Sequence, residues 1–275
     1  MGRVTRRGRI TKFRTDGTVT KREDVLAGEE PLEIRVEGRS FTVTMRTPGD
    51  DFDLVAGFLV SEGIIWDPAQ LISLRYCAGV DESGQQTFNV VDVQLRPGTA
   101  LPDTAMERHV YTSSSCGICG TASIEAVRKS SHFSLGADDV RIPLEVLAAL
   151  PEELRRNQKV FDRTGGVHAA GLFTSEGELL CLREDVGRHN AVDKVVGWAV
   201  RAGMLPLRGT VLQVSGRASF ELVQKAQLAG IAVLAAVSAP SSLSVELAED
   251  AGMTLVGFSR GTSLNCYAFP ERISV

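Results

Sequence analysis

Residues 210–237 read TVLQVSGRASFELVQKAQLAGIAVLAAV, and this stretch decides the fold that the sequence predicts. Its two short apolar runs, Thr210–Val214 and Ile231–Val237, have the length of buried strands. Between them, Phe220–Leu228 carries apolar residues at helical spacing. A strand, a helix and a second strand in this order predict a β-α-β unit with parallel strands.

The same pattern continues on both sides of this unit. Downstream, a helix is predicted at Leu243–Ala251 and a strand at Thr254–Phe258. Upstream, predicted strands at His168–Thr174 and Glu178–Arg183 are joined by a turn at 175–177. Further helices are predicted at Thr121–Lys129, Leu144–Leu150, Glu152–Phe161 and Asn190–Ala202. Residues 113–275 are therefore expected to form an α/β domain with a largely parallel sheet covered by helices.

The first part of the chain has a different pattern. Apolar residues alternate with polar ones at 32–36 and 41–45, on either side of the turn signal Glu37-Gly38, which predicts a β-hairpin. Helical spacing then predicts a helix near 50–62. Strands are predicted at Leu71–Cys77, Thr87–Leu95 and His109–Thr112. We therefore expect a small α+β domain at 29–112, preceded by a flexible arm at 1–28 that shows no apolar periodicity.

Composition excludes several function classes. The chain has 275 residues and a formal net charge of −4, from 30 basic and 34 acidic side chains. A general binder of nucleic acid or membrane surfaces needs a basic excess, so neither partner is expected. The longest apolar stretch, Leu228–Val237, is far shorter than the ~20 residues of a membrane span. The first twenty residues lack the apolar block of a signal peptide, so we expect a cytoplasmic protein.

One pair of cysteines is placed for chemistry. The chain has five cysteines, and an odd, low number favours reduced thiols. Only Cys116 and Cys119 are close in sequence, and they precede the predicted helix Thr121–Lys129. Backbone N–H groups at the start of a helix stabilise a thiolate and can lower a cysteine pKa from ~8.5 to roughly 3.5–7.5. This position favours a reactive sulfur.

Four interpretations of the pair remain open. A structural zinc site usually has four ligands, but the other cysteines are scattered singly along the chain. A thioredoxin-like disulfide site has the same spacing, although no N-terminal βαβ unit leads into it here. The two thiols can also be small buried side chains. The fourth interpretation is sulfur transfer, in which one thiolate accepts sulfur as a persulfide and the neighbouring thiol helps to release it.

Zinc-dependent nucleobase deamination is not favoured. That class needs His-x-Glu and Pro-Cys-x-x-Cys, with the glutamate as general acid and base. Here Ser115 precedes Cys116, and the nearest imitation of the first motif is His168-Ala169-Ala170, which has no acid. We therefore expect no metal ligands.

Four polar segments lie where predicted strands and helices end or begin, at 164–168, 183–194, 215–219 and 258–263. In open α/β sheets, anionic ligands bind where strands end and helices begin. Arginines there suit bidentate contacts to phosphate, and an aromatic ring suits stacking on a base. The segments together predict a pocket for a phosphorylated, nucleotide-bearing ligand. The candidate binding residues are His168, Arg188, His189, Asp193, Lys194, Ser215, Gly216, Arg217, Lys225, Phe258, Ser259, Arg260, Gly261, Thr262 and Ser263.

Each of these residues alone also has an ordinary structural interpretation. A single arginine such as Arg188 often forms only a surface ion pair. His168 lies on an apolar strand, where a core histidine is common. His189 and Asp193 are one helical turn apart and can bond to each other. The prediction of a pocket therefore rests on the repeated composition of the loops.

Several longer motifs resemble those of a known family. They are SCGICG at 115–120, TGGVHAA at 164–170, EDVGRHNAVDK at 184–194, SGRASFELVQKA at 215–226 and SAPSSLSVELA at 238–248. In this order they resemble the formate dehydrogenase accessory sulfurtransferases, the FdhD sulfur carriers. The resemblance covers roughly residues 25–275.

The resemblance implies a function and a fold. A protein of this kind takes sulfur from a cysteine desulfurase and delivers it to the molybdenum bis(molybdopterin guanine dinucleotide) cofactor of formate dehydrogenase. It implies Cys116 as the persulfide carrier, Cys119 as the assisting thiol and the guanine site at Phe258–Ser263, where a free guanine nucleotide would mimic the cofactor. It also implies a homodimer and a C-terminal three-layer domain similar to cytidine deaminases, with a mixed, partly parallel sheet and no zinc.

Two alternatives to sulfur transfer remain. One is a non-catalytic chaperone that shields the cofactor and docks it into the apoenzyme. The other is a thiol-disulfide redox protein that uses Cys116 and Cys119. Detection of a sulfur adduct on Cys116 would separate them from a sulfurtransferase.

Overall fold

The computed structural model describes residues 4–77, 79, 87–101 and 129–275. Several predictions therefore concern positions outside the described residues: the strand His109–Thr112, nearly all of the helix Thr121–Lys129, the domain boundary at 112 and the pair Cys116 and Cys119. Within the described ranges, no helix has both the length and the apolar character of a membrane-spanning segment.

The described residues form fourteen strands and six α-helices. The strands are β1 (Thr5–Phe13), β2 (Val19–Ala27), β3 (Glu30–Val36), β4 (Arg39–Arg46), β5 (Leu71–Tyr76), β6 (Val90–Leu95), β7 (Ile142–Pro143), β8 (His168–Thr174), β9 (Leu179–Asp185), β10 (Thr210–Val214), β11 (Val233–Ala236), β12 (Thr254–Arg260), β13 (Ser263–Ala268) and β14 (Ile273–Ser274). The helices are α1 (Asp51–Ser61), α2 (Leu144–Arg156), α3 (Lys159–Thr164), α4 (Arg188–Arg201), α5 (Phe220–Leu228) and α6 (Ser242–Ala251).

The main sheet has six strands in the order β13-β12-β11-β10-β8-β9. β10, β11 and β12 are parallel, as the stretch that begins at 210 predicts. β8, β9 and β13 are antiparallel to their neighbours. The α/β fold class with a mixed, partly parallel sheet is confirmed, but the parallel part is confined to three strands.

Helices cover both faces of this sheet. Connections between neighbouring parallel strands are right-handed, so α5 and α6 lie on the same face of the sheet. α4 packs against α5 on that face. α2 packs against β8, β10 and β12 on the other face. A Cβ added at Gly171 of β8 would approach Leu154 Cδ1 of α2 to 2.8 Å, so the helix lies close to the sheet.

The N-terminal part contains a second sheet, in the order β4-β3-β6-β5. The predicted hairpin is β3–β4, and the predicted helix near 50–62 is α1; both predictions are confirmed. Leu32, Ile34 and Val36 point to one face of β3 and are buried. They belong to the same hydrophobic core as the main sheet, so the described parts of the two predicted domains share one core.

Two glycines let α1 and α4 cross in direct backbone contact. A Cβ added at Gly57 of α1 would overlap the carbonyl oxygen of Asp193, and one at Gly197 of α4 would overlap the carbonyl oxygen of Asp53. Only glycine leaves room for backbones this close. This crossing joins the N-terminal sheet to the main sheet.

The sequence interpretation of Pro151 was wrong. We expect the chain to break there, between helices Leu144–Leu150 and Glu152–Phe161, yet α2 continues through the proline. Proline has no N–H, so the carbonyl of Leu147 loses its usual helical donor. The hydroxyl of Ser259 lies 3.5 Å from this carbonyl oxygen and donates to it instead.

The N-terminal arm forms regular structure that the sequence pattern does not predict. β1 and β2 pair along their whole length, from Thr5 with Ala27 to Phe13 with Val19. Most side chains on both faces are exposed, so neither face carries the apolar alternation that identifies a strand. The expectation of an arm without periodic structure is therefore corrected to a two-stranded ribbon.

Candidate functional site

Four loops meet at one edge of the main sheet. Antiparallel pairing brings the start of β8 beside the ends of β9 and β10, because His168 pairs with Asp185 and Ala170 with Val214. A bridge between Ala218 and Pro240 adds the loop that follows β11. We call this the loop edge, formed by residues 164–168, 186–188, 215–219 and 238–241. Three of the four loops contain predicted binding residues.

Gly216 provides space at the centre of the loop edge. A Cβ added there would lie 3.6 Å from His168 Nδ1 and 4.0 Å from Arg188 Cδ. Three predicted residues from three separate segments are therefore neighbours. Arg217 is exposed next to them, whereas the Ser215 hydroxyl accepts a hydrogen bond from the backbone of Ala169 at 2.9 Å and fixes the loop.

Two histidines, one on the loop edge and one directly after it, are neutral at pH 7. Burial, with the positive charges of Lys225 and Arg188, lowers the pKa of His189 to about 4. Burial and the charge of Arg188 also lower the pKa of His168. His189 Nε2 lies 3.9 Å from the Glu221 carboxylate, beyond hydrogen-bond distance. The positive charge at this site therefore comes from arginine.

Two buried polar atoms on the first turn of α4, Arg188 Nε and His189 Nε2, have no hydrogen-bond partner. Buried polar groups in folded proteins almost always have a partner, supplied by protein, water or ligand. Arg188 Nε is a donor at the N-terminus of a helix, a position that favours an anion.

Three predicted binding residues are instead part of the buried contact between α4 and its neighbours. Lys194 is 1% exposed and forms an ion pair with Asp185 at 2.8 Å. Asp193 is 2% exposed and pairs with Lys225 at 2.7 Å while it accepts a hydrogen bond from Ser61. The sequence interpretation is corrected here, because these charged groups are satisfied internally. Lys194 holds α4 against the end of β9, and Asp193 holds it against α1 and α5.

In the segment from Phe258 to Ser263, five residues are exposed to solvent and one, Ser259, is buried. β12 continues to Arg260, and Arg260 pairs with Ser263 across a tight turn to β13. Phe258 is 38% exposed and has a φ of 51°, a left-handed conformation that a bulky side chain rarely adopts. Arg260, Gly261, Thr262 and Ser263 are exposed.

Ser259 lies on the opposite side of the strand from its neighbours. It is fully buried, and its hydroxyl donates to the carbonyl of Leu147. The prediction that it binds a ligand is therefore corrected: in this structure it supports α2.

One loop of the site contains no predicted binding residue. Residues 238–241 connect β11 to α6, and the carbonyl of Ser238 accepts a hydrogen bond from Phe258 N at 3.3 Å. A Cβ added at Gly257 would approach both Ser238 and Pro240 to 3.0 Å, so this loop packs under the Phe258 turn. Its position after a parallel strand, rich in small polar residues, is the signal that could have found it.

Cys181 and Cys266 are not activated. Burial raises the pKa of Cys181 to about 12. Burial also raises the pKa of Cys266, whose Sγ contacts the carbonyl oxygen of Ala268 at 3.2 Å. Cys77 is half-buried at the end of β5. A thiol with a raised pKa is a poor nucleophile at neutral pH.

The neutral histidines predict a pH dependence of stability. In the unfolded chain, both imidazoles gain a proton as the pH falls through about 6.5, whereas in the folded protein their pKa values are lower. The unfolded state therefore binds more protons between about pH 6.5 and 4, so the free energy of unfolding decreases as the pH falls through this interval. Urea unfolding at a series of pH values measures this slope, and His189→Gln should flatten it; an unchanged slope contradicts the assignment.

Comparisons with known proteins show which family the chain resembles. The model of the FdhD/NarQ family matches residues 27–274. A Streptomyces avermitilis protein named Sulfur carrier protein FdhD is 60% identical over 278 residues, covering 100% of this chain and 98% of that protein. A Sulfolobus acidocaldarius protein of the same name is 44% identical, covering 98% of this chain and 99% of that protein.

A solved structure has the same fold. The crystal structure of a protein assigned as a formate dehydrogenase accessory protein from Desulfotalea psychrophila superposes with a TM-score of 0.76 at 25% identity. The alignment covers 99% of this chain and 100% of that chain. Because the family model and these relatives extend over nearly the whole sequence, the chain belongs to the FdhD/NarQ family.

Proposed function

We propose that this protein is a cytoplasmic sulfur carrier that receives sulfur on Cys116 from a cysteine desulfurase and delivers it to the molybdenum bis(molybdopterin guanine dinucleotide) cofactor of formate dehydrogenase. The observation that carries the proposal is the 60% identity, over the whole chain, to a protein named Sulfur carrier protein FdhD. The cofactor is cargo in this scheme, bound transiently and passed on. Its two guanine nucleotides suit a homodimer with one loop edge for each.

The loading step is an exchange between thiols. The Cys116 thiolate attacks the outer sulfur of the desulfurase persulfide, the sulfur-sulfur bond of the donor breaks, and the donor cysteine leaves as a thiolate. No net oxidation occurs. The position of Cys116 before a predicted helix favours the thiolate that this step needs, whereas burial of Cys181 keeps that sulfur protonated.

Delivery of the sulfur uses the second thiol. Attack of the Cys119 thiolate on the inner sulfur of the Cys116 persulfide forms a disulfide between the two residues and releases hydrosulfide. The hydrosulfide supplies the sulfido ligand of the metal. An external dithiol then reduces the disulfide and returns both thiols to the starting state.

The loop edge and the Phe258 turn, which packs on residues 238–241, together have the chemistry to hold the cargo. Arg188, Arg217 and Arg260 offer planar donors to phosphate, and Arg188 Nε lacks a partner. The N-termini of α4, α5 and α6 meet at this edge and add partial positive charge. The exposed ring of Phe258 offers a flat surface for guanine.

The structure anchors the chain that follows the cysteine pair close to this edge. The Lys129 ammonium group donates a hydrogen bond to the Ser61 carbonyl at 2.7 Å. Ser61 in turn bonds to Asp193, which pairs with Lys225 of α5. Lys225 is one helical turn from Glu221, which borders the loop edge. In this proposal Cys116 and Cys119, which precede Lys129 by 13 and 10 residues, approach the cargo from this side.

Mass spectrometry tests the proposal directly. The protein is incubated with a cysteine desulfurase and cysteine, and the peptide that contains Cys116 is analysed with and without a reducing agent. We expect the addition of one sulfur atom that the reducing agent removes. Absence of this adduct would support the non-catalytic chaperone, and a disulfide between Cys116 and Cys119 without added sulfur would support a redox protein.

A second prediction concerns recognition of the guanine nucleotide. Phe258→Ala and Arg260→Ala should each raise the Kd for GDP about tenfold, because a base-aromatic stack contributes about 1–3 kcal/mol and a charged hydrogen bond a similar amount. Isothermal titration calorimetry measures the change. Phe13→Ala and Arg208→Ala are matched controls, since both residues are exposed; Phe13 ends β1, and Arg208 precedes β10, at the end opposite residues 215–219. Unchanged affinity in the Phe258 and Arg260 variants would place the nucleotide elsewhere.

A further inference from the structure

Delivery of the sulfur releases one proton at the cargo site. The hydrosulfide that leaves Cys116 carries a proton, whereas the sulfido ligand that it becomes carries none. When the sulfur bonds to the metal of the cargo, the S–H bond breaks and its electron pair stays on sulfur. A base beside the cargo must therefore accept a proton in this step. The inference drawn from this requirement rests on the proposed function.

The loop edge contains one side chain that can accept this proton at neutral pH. Its four loops include no aspartate, glutamate, cysteine, lysine or tyrosine. Their arginines, Arg188 and Arg217, stay protonated in proteins, and the hydroxyl groups of serine and threonine are very weak bases. The remaining group is the imidazole of His168. It is neutral at pH 7, because burial and the charge of Arg188 lower the pKa of His168.

The structure leaves space in front of this imidazole. A Cβ added at Gly216 would lie 3.6 Å from His168 Nδ1 and 3.8 Å from His168 Cε1. Because glycine has no side chain, the space that faces this side of the ring is open. Within the described part of the chain, no group forms a hydrogen bond with the imidazole. His168 Nδ1 can therefore receive a proton from a ligand bound at the loop edge.

The charged groups on the neighbouring elements are already engaged or cannot take a proton. Asp185 of β9 pairs with His168 of β8 across the sheet. Its carboxylate is fully buried and forms an ion pair with Lys194 at 2.8 Å. Arg188 of α4 lies on the other side of Gly216 as a permanent cation, which favours binding of anionic hydrosulfide.

Two further bases lie just beyond the loop edge, and both are less suited to this step. His189 Nε2 is buried, so a ligand does not reach it without movement of its neighbours. For Glu221, burial is outweighed by its own backbone N–H and by nearby positive charge, which lower the pKa of this carboxyl. A carboxylate with a lowered pKa is a weak proton acceptor.

We propose that His168 is a catalytic residue of sulfur delivery, and that its Nδ1 accepts the proton of the hydrosulfide as the sulfur bonds to the metal. The ligand that the sulfur replaces leaves the metal with its own electron pair, so neither sulfur nor metal changes oxidation state. The imidazolium then gives its proton to water, which returns His168 to the neutral form. General bases of this kind accelerate a reaction by about a hundredfold to ten-thousandfold.

A single-turnover assay follows both fates of the sulfur. The original protein and its variants are loaded with radioactive sulfur by a cysteine desulfurase and cysteine, separated from the donor, and mixed with isolated cofactor that lacks its sulfido ligand. The sulfur bound to the cofactor and the hydrosulfide left in solution are counted separately. Titration with GDP shows whether each variant still binds nucleotide.

His168→Ala should load sulfur, bind GDP and release hydrosulfide like the original protein. Transfer to the cofactor should be at least about a hundredfold slower, so hydrosulfide accumulates in solution. Added imidazole should restore transfer, because it can occupy the space of the missing side chain, and a purely structural role of His168 would not be rescued in this way. Normal transfer, or a loss that imidazole does not restore, would overturn the proposal.

Gly216→Ala tests the geometry, and His132→Ala is the matched control. The added methyl group would contact His168 Nδ1 at 3.6 Å, an ordinary distance that the fold tolerates, but it would occupy the space in front of the base. Transfer should slow at least about fivefold, without rescue by imidazole. His132 lies outside the loop edge, stacked on Trp66, and its variant should transfer normally. Transfer at the original rate in Gly216→Ala, or an equal loss in His132→Ala, would contradict the role of His168.

A failure of the proposed function gives a different result from a failure of this inference. If the original protein acquires no sulfur on Cys116, the proposed function is wrong, and the role of His168 is overturned with it. If the original protein loads and transfers sulfur, and His168→Ala transfers it equally fast, the function stands and only the role of His168 is wrong.

Discussion

Cys116→Ala is expected to abolish the maturation of formate dehydrogenase. The variant removes the sulfur that accepts the persulfide, and the buried thiols of Cys181 and Cys266 are poor substitutes. Burial raises the pKa of Cys181 to about 12 and raises that of Cys266 as well. Formate dehydrogenase activity, measured in a strain that depends on the variant as its only carrier, should fall to the level of a strain without the gene.

Two other cysteine variants show whether the loss of activity is specific to Cys116. Cys77→Ala is the matched control, because Cys77 is a half-buried thiol at the end of β5, and activity should be retained. Cys119→Ala should retain partial activity if an external thiol can release the sulfur from Cys116. Normal activity in Cys116→Ala, with expression equal to that of the original protein, would contradict the scheme.

Gly57→Ala and Gly197→Ala are expected to destabilise the fold strongly. Each methyl group would overlap a backbone carbonyl of the facing helix, so α1 and α4 must move apart. Overpacking of a core usually costs roughly 1–3 kcal/mol, and a clash with backbone exceeds this range because no rotamer relieves it. Separation would also weaken the nearby Asp193 contact with Ser61. Urea unfolding should therefore show a lower midpoint, or no folded baseline.

Gly136→Ala is the control for this pair. A Cβ at Gly136 meets no atom within 4 Å, so its stability should change by less than about 1 kcal/mol. The double variant of Gly57 and Gly197 should lose less than the sum of the single losses, because one substitution already separates the helices. Additive losses would indicate that the two glycines act independently, contrary to the close crossing.

The sequence predicts best those elements whose burial leaves a regular pattern. β8, β10 and α5 begin and end at the predicted residues, since each is largely buried and has clear polar limits. β13 was missed because it lies at an edge of the sheet and only the last of its six residues, Ala268, is fully buried. Proline within α2 was misread as a break because its compensation comes from Ser259, about a hundred residues away.

The candidate site shows the same division. Composition at the ends of strands identified residues such as Arg188 and Gly216, and the antiparallel pairing of β8 with both β9 and β10 brought their loops to one edge. The same reasoning also selected Lys194 and Ser259, which are buried. The residue type near a strand end does not show whether its side chain faces a ligand or packs against a neighbouring helix. The position of that helix in the folded protein distinguishes a binding residue from a buried one.

The sequence by itself determined the mixed α/β class, the parallel unit at its centre and the family to which the motifs belong. These properties depend on the local periodicity of apolar residues and on the order of the segments along the chain, and both can be read directly from the amino-acid sequence. Tertiary structure alone decided that α1 and α4 cross at Gly57 and Gly197, that Lys194 donates to the carbonyl of Thr47 inside the core, and that a basic ribbon lies beside the loop edge. Each depends on contacts between segments distant in the chain, whose mutual distances no local pattern specifies.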